Sequence, residues 1–312
     1  MEERITPHLR SKLAQSQAVA RQFKAVPPNE EPATRFARLD PLGEETHSPV
    51  KGIVHKYPNR ALFKVSYRCA AHCRFCTRLR QIGTSDGDLS EEEIMRALGY
   101  IRAHPEIDDV VLSGGDPLYT PQTTERILEG IRSIPSVRVL RIDTRLPVHS
   151  PRSLASPQLV RLLDSLSDAA QHLAVFILVH VNHPDELDQQ VIEALGAFRS
   201  RGFPVLSQTV FLRGVNDDEQ TLEELFKTLY YLSVIPYYIY RCDHVAGLES
   251  FVCDLDKERA IMSGLRRRMS GLALPTYVVD VCGAGKLPVP LKFWDVPNPE
   301  NCVDYLGQPI KL

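Results

Sequence analysis

Three cysteines, Cys69, Cys73 and Cys76, lie close together in the segment KVSYRCAAHCRFCTRLRQ. Their spacing is Cys-x3-Cys-x2-Cys, and they follow the apolar run ALFKV, which is typical of a buried strand. Three closely spaced thiolates can bind three irons of a 4Fe–4S cluster and leave the fourth iron open to a substrate or cosubstrate. The spacing therefore predicts an iron–sulfur cluster with one open coordination site.

The other cysteines do not form a second group of this kind. A structural zinc site usually takes four ligands in two pairs. The remaining cysteines are scattered singly along the chain, at Cys242, Cys253, Cys282 and Cys302. We therefore predict no zinc site.

Composition limits the classes of protein to which this chain can belong. The 312 residues are 43% hydrophobic and 24% charged, as in an ordinary globular protein, and the net charge of -2 gives no general attraction to nucleic acid or an anionic membrane. No apolar run approaches the roughly 20 residues that span a bilayer, and the start MEERITPHLR lacks the apolar core of a signal peptide. These features predict a cytoplasmic protein without a nucleic-acid or membrane partner. In that reducing compartment the cysteines are not expected to form disulfides.

Apolar runs alternate with amphipathic segments along most of the chain. Six runs read as strands, namely ALFKV, DVVLS, VRVLRI, AVFILV, PVLSQTVFL and IPYYIY. The clearest helix signal is in DLSEEEIMRALGYIRAH, where Ser90 and Glu93 fit a capping box. Four further segments are also predicted as helices: QTTERILEGIRSI, SPQLVRLLDSL, PDELDQQVIEALGAFRSRG and DDEQTLEELFKTLYYL. Repeated strand–helix units predict either a parallel barrel or an open doubly wound sheet, and the pattern does not choose between them. In both folds the loops after the strands lie on one face and carry the chemistry.

A family resemblance rests on motifs in these loops. CAAHCRFC resembles the C-x3-C-x-Φ-C signature of radical S-adenosylmethionine (SAM) enzymes, in which Φ is aromatic. Seven blocks are similar, in order, to segments of the lysine 2,3-aminomutase family: HKYPNRALFKVSYRCAAHCRFCTRLR, VVLSGGDPL, RIDTRLPV, HVNHPDE, QTVFLRGVND, PYYIYRCD and LPTYVVDVCGAGKLPV. The resemblance implies an α/β fold, a partial (β/α)6 TIM-like radical SAM barrel over 46–290, with an N-terminal extension (1–45) and a C-terminal tail (291–312).

The resemblance also implies cofactors and the residues that hold them. Cys69, Cys73 and Cys76 would ligate the cluster, and SAM would bind its open iron. The implied SAM-binding residues are Phe75, Ser113, Gly114, Gly115, Asp116, His180 and Gln208. Pyridoxal 5'-phosphate (PLP) would be the second cofactor, bound by a Schiff base to Lys286 in CGAGKLPVP.

Two further cations are expected at the PLP phosphate. Arg60 matches a family arginine at that position, and Lys56 stands where close relatives have a second arginine. A lysine supplies charge without the bidentate fork of a guanidinium, so the Lys56 contact is expected to be the weaker one.

The implied activity is that of an isomerase that moves the 2-amino group of L-lysine to C3 through a PLP aldimine radical, giving β-lysine. Arg78 matches the family arginine for the substrate carboxylate, and Asp243 and Asp280 match two aspartates that hold the distal ammonium. Two carboxylates in a desolvated pocket favour a cationic side chain over an anionic one. The two aspartates indicate the charge of the substrate side chain better than its length, so ornithine and arginine stay open as substrates.

Several alternatives remain at this stage. The segment DVCGAGK is one residue shorter than the family's glycine run and brings Cys282 near the pocket, where a thiol could donate hydrogen in an epimerase. The same chemistry could also serve a lysine that is later attached to a translation factor. A non-catalytic iron–sulfur redox protein is the alternative from a different class, but it leaves Arg78, Asp243, Asp280 and Lys286 unexplained. The expected partners are a small amino acid and reduced flavodoxin or ferredoxin, and a homo-oligomer is possible.

Overall fold

The fold is built on one large sheet. The structure is a computed structural model that describes residues 3–24, 38–282 and 285–291 and two short strands in the C-terminal tail. The nine strands of the sheet lie side by side in chain order: β1 (Ile53–Tyr57), β2 (Arg60–Ser66), β3 (Asp109–Gly114), β4 (Val139–Thr144), β5 (Ala174–His180), β6 (Val205–Val210), β7 (Ile235–Tyr240), β8 (Thr276–Val281) and β9 (Gly285–Pro288). Strands β2 to β8 are parallel, while β1 and β9 pair antiparallel with β2 and β8.

This topology decides between the two architectures that the sequence left open. An open doubly wound sheet reverses its strand order at a switch point, whereas these strands follow one another without reversal, as in a barrel. The predicted partial barrel and its six strands, β2 to β7, are confirmed. A seventh parallel strand, β8, lies in the block LPTYVVDVCGAGKLPV.

Helices pack around the sheet and its loops. In chain order they are α1 (Pro7–Leu13), α2 (Gln17–Phe23), α3 (Glu91–Ala103), α4 (Pro121–Arg132), α5 (Leu146–His149), α6 (Pro157–Ala169), α7 (Gln189–Arg199), α8 (Glu219–Tyr231) and α9 (Leu255–Arg268). The amphipathic segments predicted as helices correspond to α3, α4, α6, α7 and α8. The capping box of Ser90 and Glu93 at the start of α3 is confirmed, with both of its hydrogen bonds formed.

The alternation of side chains along the strands separates the core from the barrel interior. In β4, Leu140 and Ile142 are fully buried in the hydrophobic core, while Arg141 and Asp143 line an interior cavity. Successive side chains of a strand point to opposite faces, so residues of one parity share a face. The strands therefore supply the core and the cavity with alternate residues.

The N-terminal helices pack on the loop that carries the three cysteines. Leu9, Val19 and Phe23 form a small apolar cluster with Ala71 of that loop. Backbone hydrogen bonds add to this contact, since Arg74 N donates to the carbonyl oxygen of Gln22 at 2.8 Å. Helices α1 and α2 of the predicted N-terminal extension thus pack against the cysteine loop.

The domain limits stay a prediction, because most of the tail falls outside the described residues. Two short strands there, β10 (Cys302–Val303) and β11 (Pro309–Ile310), pair antiparallel. Among the residues that the structure describes, no helix is long and apolar enough to cross a membrane.

The close packing of Gly115 on the cysteine loop yields a stability prediction. A Cβ at Gly115 would lie 2.6 Å from Arg68 N and closer still to Arg68 O, and these are backbone atoms that cannot rotate away. We expect Gly115→Ala to displace the loop and to lower the free energy of unfolding by about 1–3 kcal/mol or more, measured by chemical denaturation.

Gly99→Ala is the matched control for this substitution. Gly99 lies inside α3, and a Cβ there would meet nothing within 4 Å. Removing a helix glycine should raise stability by up to about 1 kcal/mol. Equal effects of the two alanines would contradict the packing argument.

Candidate active site

A cavity of about 350 Å³ occupies the barrel interior, and the carboxyl ends of the parallel strands contribute to its lining. Every site residue named from the sequence lines this cavity: Lys56, Arg60, Cys69, Cys73, Phe75, Cys76, Arg78, Ser113, Gly114, Gly115, Asp116, His180, Gln208, Asp243, Asp280 and Lys286. These residues are distant in sequence and meet only because parallel strands end on the same side of the barrel. The roles assigned to them stay predictions.

The three cysteine thiols share one environment. Burial raises the pKa of Cys69 and Cys73 and raises that of Cys76 to about 11, so the thiols are neutral at pH 7 without a metal. The iron ions of a bound cluster would offset this cost, because metal binding releases thiol protons. No three metal-ligating side chains of the described residues converge on one metal ion. A cubane cluster makes a different demand, since each of its thiolates binds a different iron.

Phe75 and His180 lie together at the predicted SAM site. Their ring centroids are 5.4 Å apart, and His180 Nε2 lies 2.9 Å from Asn182 Oδ1. Burial, with a smaller effect of Arg145, lowers the pKa of His180 to about 3. His180 is therefore a neutral imidazole at physiological pH, suited to hydrogen bonding rather than to charge pairing.

Gly114, Gly115 and Asp116 have structural contacts that the sequence analysis did not foresee. The two glycines were expected at the SAM site, and the close approach seen here is to the backbone of Ser66 and Arg68. The Asp116 carboxylate accepts hydrogen bonds from Thr144 Oγ1 and from the backbone nitrogens of Leu118 and Arg145. These residues therefore hold the cysteine loop and the end of β4 in place.

Lys286 lies in the β8–β9 hairpin directly opposite Asp280. Its Nζ is 3.6 Å from Asp280 Oδ2 and lies over the rings of Tyr57 and Tyr240, at 5.6 and 5.9 Å from their centroids. Lys56 Nζ approaches the other oxygen of Asp280 at 2.9 Å. Asp280, which was expected to hold the substrate ammonium, is thus placed between two protein amines.

Asp243 is the second carboxylate expected to hold the substrate ammonium. Burial, followed by repulsion from Asp280, raises its pKa to about 7, against the opposing effects of Lys286 and Lys56. Near neutral pH, Asp243 is therefore close to half-ionised. A ligand ammonium beside it would favour the ionised form.

Arg141 and Asp143 of β4 are cavity residues that the sequence analysis missed. Arg60 Nε and Arg141 Nε donate to different oxygens of the buried Asp109, at 2.7 and 3.0 Å. Two guanidinium groups thus share one carboxylate, which leaves an excess of positive charge suited to a phosphate. The signal was present in the sequence, because the two charged residues of VLRIDT are two positions apart and therefore lie on the same face of the strand.

Asp143 itself is incompletely satisfied. Its Oδ1 is buried and has no hydrogen-bond partner among the described residues, and burial raises its pKa to about 6 despite the nearby cations. A buried polar atom of this kind is uncommon in folded proteins and marks a place where a ligand can contribute the missing contact.

Arg78 has a protein partner that was not expected. Its Nε lies 2.9 and 3.1 Å from the two carboxylate oxygens of Glu44, and its NH1 donates to the carbonyl oxygen of Gly114 at 3.2 Å. Burial acts to raise the pKa of Glu44, but Arg78 outweighs it and the pKa lies below its usual value. A residue of the predicted N-terminal extension therefore holds the guanidinium that was expected to bind the substrate carboxylate.

Comparison with known proteins places this site in a class. The model of the radical SAM superfamily matches residues 63–226, more than half of the chain. A radical SAM methyltransferase from Sphaerobacter thermophilus has a similar fold, with a TM-score of 0.52 at 19% identity over 74% of this chain and 71% of that one. The protein is thus a member of the radical SAM superfamily, which implies a 4Fe–4S cluster and SAM.

Curated relatives narrow the class to a family. The L-lysine 2,3-aminomutase of Clostridium subterminale is 42% identical over 80% of this chain and 59% of its own length. The L-lysine 2,3-aminomutase of Escherichia coli K12 is 36% identical over 81% of this chain and 72% of its own, and a putative one from Treponema pallidum is 36% identical over 88% and 76%. The chain belongs to the lysine 2,3-aminomutase family. It spans about six tenths of the length of the clostridial and fusobacterial relatives.

Because the pKa of Asp243 is raised, replacing this residue is predicted to increase the stability of the fold by an amount that depends on pH. An aspartate that is ionised above 3.8 when unfolded but only above about 7 when folded destabilises the fold increasingly as the pH rises through that range. We expect Asp243→Asn to raise the free energy of unfolding by an amount on the order of a few kcal/mol above pH 7 and to have little effect near pH 4.

Thermal unfolding at the two pH values measures this difference. Asp164→Asn is the control, because Asp164 is 62% exposed and pairs with Arg201 at the surface. A gain for Asp243→Asn that is the same at both pH values would show that charge burial is not its cause.

Proposed function

We propose that the protein is an isomerase that moves the 2-amino group of L-lysine to C3, using a 4Fe–4S cluster, SAM and PLP. The observation that carries the proposal is the meeting of three thiols, a lysine amine, the Arg60–Arg141 pair, Arg78 and several carboxylates around one cavity. Family membership supports the same reaction, since the relatives named above are lysine 2,3-aminomutases. No simpler redox role requires this combination of charges.

The residues present fit PLP. Lys286 presents an amine to the cavity, as a Schiff base with an aldehyde requires. Gly285 lets Tyr57 pack against the backbone beside this lysine, because a Cβ there would meet the Tyr57 ring. Arg60 and Arg141 would hold the phosphate, because they share only the single charge of Asp109. When bound, PLP supplies a π-system that stabilises an unpaired electron on the substrate.

The protein's own charges select the substrate. Asp243, Asp280 and Asp143 make the cavity unfavourable for an acidic side chain, since like charges repel strongly where water is excluded. Arg78 supplies a fixed guanidinium for the α-carboxylate, and Glu44 holds that group in orientation. These contacts support a basic amino acid, and lysine is the first choice on the strength of the relatives.

The epimerase alternative finds less support. Cys282 is exposed, and its sulfur lies 2.9 Å from the position of a Cβ on Gly43. It is not among the described residues that line the cavity. The proposed aminomutase function also includes reduced flavodoxin or ferredoxin as the electron donor and a location in the cytoplasm.

The activity is tested directly. The reconstituted protein would be incubated without oxygen with SAM, PLP, a strong reductant and L-lysine, and the products identified by NMR. We expect β-lysine. Racemised lysine, with SAM still cleaved, would instead favour the epimerase. Turnover of ornithine or arginine, but not of lysine, would show that the proposed substrate is wrong.

Lys286→Ala tests the covalent anchor. We expect it to lower the rate by more than about 100-fold, because the amine that positions the cofactor is lost, and to abolish the visible absorbance of bound PLP. Lys257→Ala is the control, since Lys257 is 51% exposed and pairs with Asp217. Full activity of Lys286→Ala would exclude the Schiff base at this lysine.

A further inference from the structure

A buried arginine connects the cysteine loop to the rest of the protein. Arg145, which follows β4, is 6% exposed, and its NH1 donates a hydrogen bond to Cys73 Sγ at 2.9 Å. Its NH2 lies 2.9 Å from Glu186 Oε2 and 2.6 Å from Gln22 Oε1. One guanidinium thus contacts a predicted cluster ligand, a fully buried glutamate and the N-terminal helix α2.

The same contacts continue to the predicted SAM site. Gln22 Nε2 donates to Glu186 Oε1 at 2.7 Å, and Asn182 Nδ2 donates to Gln22 Oε1 at 3.1 Å. Asn182 Oδ1 in turn lies 2.9 Å from His180 Nε2. Gln22, Asn182 and Glu186 are all fully buried, so the network from Cys73 to His180 is shielded from water.

We propose that Arg145 is a positioning and redox-tuning residue: held by Glu186 and Gln22, it donates a charge-assisted hydrogen bond to the Cys73 sulfur and raises the reduction potential of the cluster bound there. The proposal rests on the cluster of the proposed function. It also gives α2 a role in the chemistry, because Gln22 is one of the two side chains that hold the guanidinium.

The sign of the effect follows from electrostatics. When the oxidised cluster accepts one electron from an external low-potential donor, its negative charge increases and no bond is broken. A positive hydrogen-bond donor at a ligand sulfur stabilises the more negative, reduced form, and the low dielectric of a buried site strengthens this effect. Glu186 acts in the opposite direction, because its carboxylate partly compensates the charge of Arg145.

The chain also fits a cluster at this position. Arg145 Nε is buried and has no hydrogen-bond partner among the residues described. His149 places Nε2 3.6 Å from the same sulfur, while its Nδ1 is also unsatisfied. Buried polar atoms without a partner are uncommon, and their presence beside Cys73 is consistent with a site that a bound group would complete.

The test is a redox titration of the full chain after anaerobic reconstitution with iron and sulfide. Iron and sulfide content is measured first, and absence of a cluster in the wild-type protein would refute the proposed function itself. Electron paramagnetic resonance then follows the reduced cluster during titration with dithionite. We expect a more negative midpoint potential for Arg145→Gln than for the wild type, and recovery toward the wild-type value in Arg145→Lys.

Glu186→Gln separates redox tuning from a merely structural role. It keeps the shape and one hydrogen-bond acceptor but leaves the charge of Arg145 uncompensated, so we expect a more positive midpoint potential. Damage to the fold would shift the midpoint potentials of Arg145→Gln and Glu186→Gln in the same direction. Lys12→Gln is the control, because Lys12 is a buried cation of α1 that pairs with Asp188 at 3.0 Å, and it should keep the wild-type potential.

Three results would overturn the proposal. The first is a wild-type potential in Arg145→Gln with its cluster intact. The second is a shift of the same sign in Arg145→Gln and Glu186→Gln. The third is loss of the cluster from both variants, which would assign the network to folding alone.

Discussion

The interior of this barrel depends on the pairing of buried charges. A charge removed from water costs several kcal/mol unless an opposite charge or hydrogen bonds compensate it, so cations and anions inside the cavity must be placed together. The pairs join distant parts of the chain: Arg78 with Glu44, Arg60 and Arg141 with Asp109, Lys56 and Lys286 with Asp280, and Arg145 with Glu186. Each pair fixes the direction of a group that could otherwise turn into solvent.

Pairing is incomplete at two carboxylates, and this has a functional consequence. The pKa values of Asp143 and Asp243 are raised to about 6 and about 7, so the protein itself does not fully stabilise their charged forms. Groups with such shifts in a cavity are candidates for ligand contact. Under the proposed function, the cationic amine of a basic amino acid would supply the missing compensation, whereas an acidic side chain would not.

The parts that were predictable from sequence are those with a local signal. Helix α3 has its capping box and apolar period, and β2 to β7 have long apolar runs, so both kinds of element were predicted. Strand β8 was missed because the acidic Asp280 interrupts the apolar run of TYVVDV, and α9 was missed because its sequence LDKERAIMSGLRRR is dominated by charge. Arg141 and Asp143 could have been found from their shared parity in β4.

The sequence by itself determined the family, the strand–helix alternation and the candidate site residues, all of which line the cavity, because these depend on spacing and residue type within short segments. Only the tertiary structure decided which charges meet. Glu44 lies 34 residues from Arg78, and Gln22 lies 123 residues from Arg145, so no local pattern joins them. Both partners come from the N-terminal extension. Their contacts exist because that segment folds back on the cysteine loop, where burial makes an unpaired guanidinium costly.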